Sequence, residues 1–194
     1  MMHREYKKIY KFCLDSKQVD CTKMVSELMD LPKVPIHGPV HHFIVPAAIL
    51  TCYNNLYGSK EQLKSQLNIA AKRTIIIPGG NCAQCGACGA GLGVGVFASI
   101  VTENTPLSGE SWNKVIEISS ACGSEIGKNG GPRCCKRDTY IAVLTGVNKI
   151  KELLNINLPA KTPVCKYFPK NEQCRKEGCV FYPKKKRFES ALSK

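Results

Sequence analysis

A mainly α-helical fold is predicted by three features of the 194-residue chain. Apolar side chains recur at helical spacing near both ends, in Tyr6, Ile9, Tyr10 and Cys13 and again from Tyr140 to Leu154. Capping residues stand where such runs begin, at Asp20 and in Ser59-Lys60-Glu61-Gln62. Only Thr74–Ile77 offers a brief β-branched run, which suits an extended connector as well as a strand.

Taken in order, the first apolar run gives a short amphipathic helix ending near Asp15-Ser16. Asp20 then caps a second helix with Met24, Val25, Leu28 and Met29 on one face, closed by Leu31-Pro32. Lys33-Val34-Pro35 reads as a stiff linker, so residues 1–36 form a separate piece. Two such short helices are not stable alone. They either pack on the main body or dock in a partner's groove, and Tyr6, Ile9, Tyr10, Met24 and Leu28 are the residues that would make the docking contacts.

The main body, 37–158, reads as a Cys-rich helical core. An apolar helix runs from His41 to Tyr57, with Pro46 in or near its first turn and Gly58 as the stop. The Ser59 capping box opens a helix to about Lys72. Beyond Pro78-Gly79-Gly80 comes a Gly- and Ala-rich stretch, 86–100, whose small residues let a helix approach its neighbour closely. Ser108–Ser111 starts a helix over Trp112–Cys122, and Cys134 or Arg137 begins a long helix to about Asn155.

A hydrophobic content of 43% is enough for a real core, which excludes a wholly disordered chain. A formal charge of +13 suits nucleic acid, anionic lipid or an acidic protein. The first 36 residues carry seven basic against five acidic groups, whereas 159–194 carry ten against three, so the excess concentrates at the C-terminus. The start lacks the apolar core of a secretory signal, and no run approaches 18 apolar residues, so no membrane partner is expected. A cytoplasmic, reducing location follows, where 12 Cys point to metal or redox chemistry before disulfides.

The sharpest signal is Cys82-Ala-Gln-Cys85-Gly-Ala-Cys88-Gly. Two residues between cysteines let thiolates converge on one metal, and glycines leave N–H donors free for the sulfurs, as an iron–sulfur cluster requires. Zinc also accepts this spacing, although usually as paired Cys-x-x-Cys. The fourth ligand would be Cys122, Cys134 or Cys135, or the position stays open. Redox thiols and simple close packing are the alternatives.

Gly-Gly-Pro-Arg133-Cys134-Cys135-Lys136-Arg137 places cations at a helix start, where a phosphate can be received. Vicinal cysteines cannot easily serve one site, so one of them is buried or points at the Cys82 loop. His37, His41 and His42 lie within six residues and read as metal ligands, as a capping and packing element, or as a base. Cys165, Cys174 and Cys179 resemble a zinc or iron–sulfur knuckle lacking one ligand, in a segment otherwise poor in apolar residues. Tyr167, Phe168, Phe181 and Tyr182 interleave there with cations, as single-stranded or looped RNA requires. The RNA contacts expected are Arg133, Lys136, Arg137, Lys166 and the run Lys184, Lys185, Lys186 and Arg187. No P-loop, dinucleotide fingerprint or catalytic triad is present.

HGPVHH, PGGNCAQCGACGAG and GGPRCCKR together resemble an uncharacterised Cys-rich domain family of anaerobic bacteria and archaea, sometimes attached to methyltransferases. The resemblance spans about residues 37–183. With a helical extension before it and a basic segment behind, the whole chain is similar to the bridging subunits of the methanogen complex that makes cysteine on its tRNA. That resemblance implies a non-catalytic scaffold which binds tRNA-Cys and joins phosphoseryl-tRNA synthetase to Sep-tRNA:Cys-tRNA synthase. The rival expectation is an iron–sulfur protein that transfers sulfur or supports a methyltransferase, with Cys82, Cys85, Cys88 and Cys134 or Cys135 holding the cluster.

Overall fold

The computed structural model describes residues 4–183, so Lys184, Lys185, Lys186 and Arg187 lie outside the described residues. Among the described residues there are eight α-helices and no strand. Helix α1 spans Arg4–Asp15, α2 Cys21–Met29, α3 Val40–Tyr57, α4 Lys60–Thr74, α5 Asn81–Gln84, α6 Gly89–Val101, α7 Glu110–Lys128 and α8 Cys135–Leu154.

The caps form as their chemistry requires. The Asp20 carboxylate accepts from the Thr22 and Lys23 N–H groups, and the Ser59 hydroxyl accepts from Gln62 N–H. Thr74 to Ile77 is no strand. Thr74 completes α4, its hydroxyl donating to Ala70 O at 2.9 Å, and the chain then turns. A single β-branched run with no strand to pair against gains nothing by extending. Helix α7 continues past Cys122 to Lys128, about a turn and a half further than apolar spacing suggests.

Helix α3 is the central post. It is apolar around its whole circumference, as a helix surrounded by others must be, and α1, α2, α4, α6 and α8 all pack on it. Phe43, Ile44, Ile49 and Leu50 are fully buried there. Pro46 falls in the interior of this helix rather than in its first turn. Lacking an N–H, it leaves the His42 carbonyl without its usual intrahelical donor. Gly93 of α6 lies against that carbonyl, and a Cβ at position 93 would come within 2.9 Å of both His42 O and Pro46 Cδ.

The first 36 residues share this core. Ile9, Met24 and Leu28 are fully buried, and Tyr6 stacks on Phe43 with ring centroids 4.4 Å apart. Of the two fates open to the helical pair, the apolar faces take the intramolecular one. The expected docking residues Tyr6, Ile9, Met24 and Leu28 are therefore not offered to a partner, because exposing them would cost the burial that holds α1 and α2 on α3. Tyr10 is half-buried and remains at the surface.

After α8 the chain has, among the described residues, no regular element beyond two short 3-10 turns, Phe168–Lys170 and Lys176–Gly178. It returns along α2, where Cys21 N–H donates to Pro159 O at 2.8 Å and the Thr22 hydroxyl donates to Lys161 O at 2.7 Å. Leu158, Tyr167, Asn171 and Phe181 are its only buried side chains among the described residues.

Candidate metal centre

Helices α3, α6 and α8 all begin beside one cleft of about 110 Å³. Its walls include His41, His42, Cys82, Cys88, Cys135 and Asp138, with Arg133 at the edge. Partial positive charge at helix N-termini favours anionic groups such as thiolates. Cys88 occupies the N-cap of α6 without a side-chain cap bond, and burial pushes its thiol up to about 11. Burial also raises Cys135, against a backbone hydrogen bond from Gly38. Cys82 is exposed.

Both histidines are held as neutral imidazoles. Burial drives His41 down to about 3, with a further push from the Lys136 charge, and burial also lowers His42. His41 Nδ1 lies 3.0 Å from Gly38 O and His42 Nδ1 lies 3.3 Å from Ile77 O. Facing a carbonyl, each neutral ring carries its proton on Nδ1, which leaves the Nε2 lone pair free. His41 Nε2 is buried and has no hydrogen-bond partner. This is the arrangement in which proteins present histidine to a metal, a backbone carbonyl fixing the tautomer from behind. Gly89 is required by the same site, since a Cβ there would sit 2.2 Å from the His42 ring. His37 does not join; its Nε2 pairs with Asn171 Oδ1 of the tail at 3.2 Å.

The Cys82, Cys85 and Cys88 triplet is not gathered at the cleft. Cys85 closes the four-residue helix α5, is exposed and does not line the cavity, so the spacing brings only Cys82 and Cys88 there. Cys135 is the third thiol. Cys122 is buried between helices, donating to Ala142 O, and is core.

Cys134 takes the other direction. It lines a second, smaller cavity of about 20 Å³ together with Cys165, Cys174 and Cys179. All twelve cysteines are free thiols. Among the described residues no three His, Cys, Asp or Glu side chains stand as they would around a bound ion, so neither cavity is a preassembled coordination shell.

Two expected RNA contacts are corrected. Lys136 and Arg137 are buried, at 1% and 5% exposure. Lys136 Nζ donates to Met29 O at 3.0 Å, capping the C-terminus of α2, and stands 4.7 Å over the Tyr167 ring. Burial lowers its pKa to about 8. Arg137 pairs with Asp138 at 3.0 Å and donates to Pro132 O. Neither can reach a phosphate, because helical phase turns both inward at the start of α8. Arg133 and Lys166 are exposed, the latter paired with Asp30.

A family described as "Family of unknown function (DUF5714)" matches residues 9–182. The chain belongs to the DUF5714 family. No curated protein and no solved structure matches it. The DUF5714 match takes in both cavities and all of helices α2 to α8. No helix among the described residues is long and apolar enough to cross a membrane.

His41 was among three clustered histidines with several readings open, and Asp138 is the cleft residue that no pattern selected. HGPVHH carried the signal for the first, since Gly-Pro ahead of a helix start places a histidine beside a free carbonyl. Nothing local distinguished Asp138 from a solvent-facing acid.

Proposed function

We propose that the cleft is a metal–thiolate centre in which Cys82, Cys88 and Cys135 supply sulfur and His41 Nε2 supplies nitrogen. The buried His41 Nε2 without a hydrogen-bond partner, on a residue that lines a cavity with three thiols, carries this reading. A fully buried imidazole nitrogen without a partner costs free energy that a metal bond would recover. Sulfur and imidazole donors suit zinc, iron or an iron–sulfur cluster rather than magnesium or calcium. The exposed Cys82 puts one side of the centre within reach of solvent, which suits a working site in sulfur transfer or in support of a methyltransferase better than a sealed structural one. Anaerobic purification followed by metal and sulfide analysis tests the reading. Metal that is retained by the unmodified chain and lost on His41→Gln, Cys88→Ser or Cys135→Ser supports it; a chain whose metal content ignores all three substitutions sinks it.

A second reading has its own observation. Arg133, Lys170, Arg175 and Lys176 are exposed beside the tail, where Phe168 and Tyr182 meet edge to face at 4.9 Å. Cations beside aromatic faces suit looped RNA. On this basis, and on the resemblance to SepCysE, the chain would hold tRNA-Cys on its tail and bridge phosphoseryl-tRNA synthetase and Sep-tRNA:Cys-tRNA synthase. With the apolar faces of α1 and α2 turned inward, enzyme docking would fall to the outer groove lined by Lys8, Lys11, Phe12, Asp15 and Leu31. Co-purification of both enzymes that survives Phe12→Ser with Lys8→Glu would contradict that placement.

A further inference from the structure

The tail presents a physical difficulty. It runs from Asn155 to the last described residue with two single 3-10 turns and four buried side chains, too few to fix an irregular backbone by burial alone. Against this, its turns are well defined. Cys174 N–H donates to Asn171 O at 3.0 Å, Cys179 N–H to Lys176 O at 2.8 Å and Cys165 N–H to Phe181 O at 2.7 Å. Lys170, Asn171, Gly178 and Tyr182 N–H groups donate in the same turns, and the Cys165, Cys174 and Cys179 side chains all line one cavity.

The fourth wall is Cys134, the N-cap of α8. A knuckle that lacks one ligand in the sequence thus acquires it from the core domain, 31 or more positions earlier in the chain. The sulfurs are also provided with donors. Cys134 Sγ accepts from Arg137 N–H at 3.5 Å and from Asn171 Nδ2 at 3.4 Å. Cys174 Sγ accepts from Lys176 N–H at 3.3 Å, whereas burial raises the Cys165 thiol. N–H groups aimed at sulfur stabilise thiolate, the form that binds metal. The cavity, about 20 Å³, has room for one atom-sized guest and none for an iron–sulfur cube.

We propose that Cys134, Cys165, Cys174 and Cys179 form a closed tetrathiolate site for a single zinc-type ion that fastens the tail to the start of α8. Four thiols each release a proton to solvent when the divalent ion enters, which leaves a net charge of −2 at the site. The α8 N-terminus and Arg175, which also lines the cavity, face that charge. Because the shell is not preassembled, binding draws the four sulfurs inward and is coupled to ordering of the tail. This explains why a segment so short of apolar side chains holds a shape. The site is independent of the His41 cleft and shares no ligand with it.

The test titrates the full-length, metal-stripped chain with Co²⁺ in place of zinc. The expected result is one equivalent with the intense sulfur-to-cobalt charge-transfer and red-shifted d–d bands of four-thiolate tetrahedral cobalt. Those bands should persist in His41→Gln and Cys88→Ser and disappear in Cys165→Ser and Cys174→Ser. Cys174→His guards against a simple folding failure, since it keeps a ligand and should shift the bands instead of abolishing them. Bands unaffected by all three tail substitutions would overturn the site. So would a four-thiolate spectrum that depends on Cys82, Cys88 and Cys135 instead. Loss of the cleft signal alone would count against the cleft reading and leave this site standing.

Discussion

Cys134 and Cys135 are neighbours in the chain and face different cavities, the first toward Cys165, Cys174 and Cys179, the second toward His41, Cys82 and Cys88. The split follows from the helix start. Cys134 is the extended N-cap residue and Cys135 the first helical one, so the backbone turns between them. Replacing each in turn should therefore have separable effects. Cys134→Ser should remove one equivalent of metal and make the tail susceptible to protease while the cleft metal stays. Cys135→Ser should do the reverse. Identical consequences from the two substitutions, measured by metal content and by mapping the cleaved bonds, would show that one site uses both residues.

Gly89 permits the His42 ring to lie against the first turn of α6. Gly89→Ala would bring its Cβ to 2.2 Å from that ring, a clash no rotamer of a buried histidine avoids easily. The expected cost is about 1–3 kcal/mol of stability, with weaker metal retention in the cleft. Denaturant unfolding and metal analysis of the variant check both. Gly79→Ala is the control, because a Cβ there finds only Pro39 at 3.8 Å.

Ile9 tests where the N-terminal helices belong. It is fully buried in the chain's own core, so Ile9→Ala should lower stability by about 2–5 kcal/mol in the isolated protein. A residue reserved for a partner would show almost no change in urea unfolding when the protein is alone, and would show its effect only in partner binding.

The helices were legible because their information is local. Asp20 and Ser59 cap where a capping residue must, periodicity located α1, α2 and α8, and an unbroken apolar run stopped by Gly58 located α3. The docking reading of α1 and α2 failed for a reason no window of sequence contains: whether an amphipathic face meets its own chain or another depends on α3, which is apolar on all sides and has room for both helices. The sites were half legible. Cys spacing identified Cys82, Cys88 and the tail knuckle, but Cys85 falls outside the cleft because α5 is a single turn that ends there. The partner of the knuckle, Cys134, is invisible to spacing, since it is brought in by the fold. Charge misled in the other direction. Arg133-Cys-Cys-Lys136-Arg137 looks like a basic patch, yet one turn of helix separates an exposed arginine from two buried cations.

That burial makes the RNA reading discriminating. Lys136 holds the end of α2 and the face of Tyr167, so Lys136→Met should leave Met29 O without its donor and cost about 1–3 kcal/mol. It should not alter tRNA affinity at a temperature where the variant is folded. Removing the exposed cations together, with Arg133→Gln, Lys170→Gln and Lys176→Gln, should leave the fold intact and weaken tRNA binding. For each phosphate that no longer meets a cation, the slope of log affinity against log salt should become shallower by about one. Fluorescence anisotropy over a range of salt, run on both variants, separates the cases. A tRNA affinity that falls with Lys136→Met and ignores the triple exposed variant would mean that the basic surface beside the tail is not where RNA lies. An affinity independent of salt in the unmodified protein would remove the RNA reading altogether, because phosphate binding by Lys and Arg cannot escape counterion release.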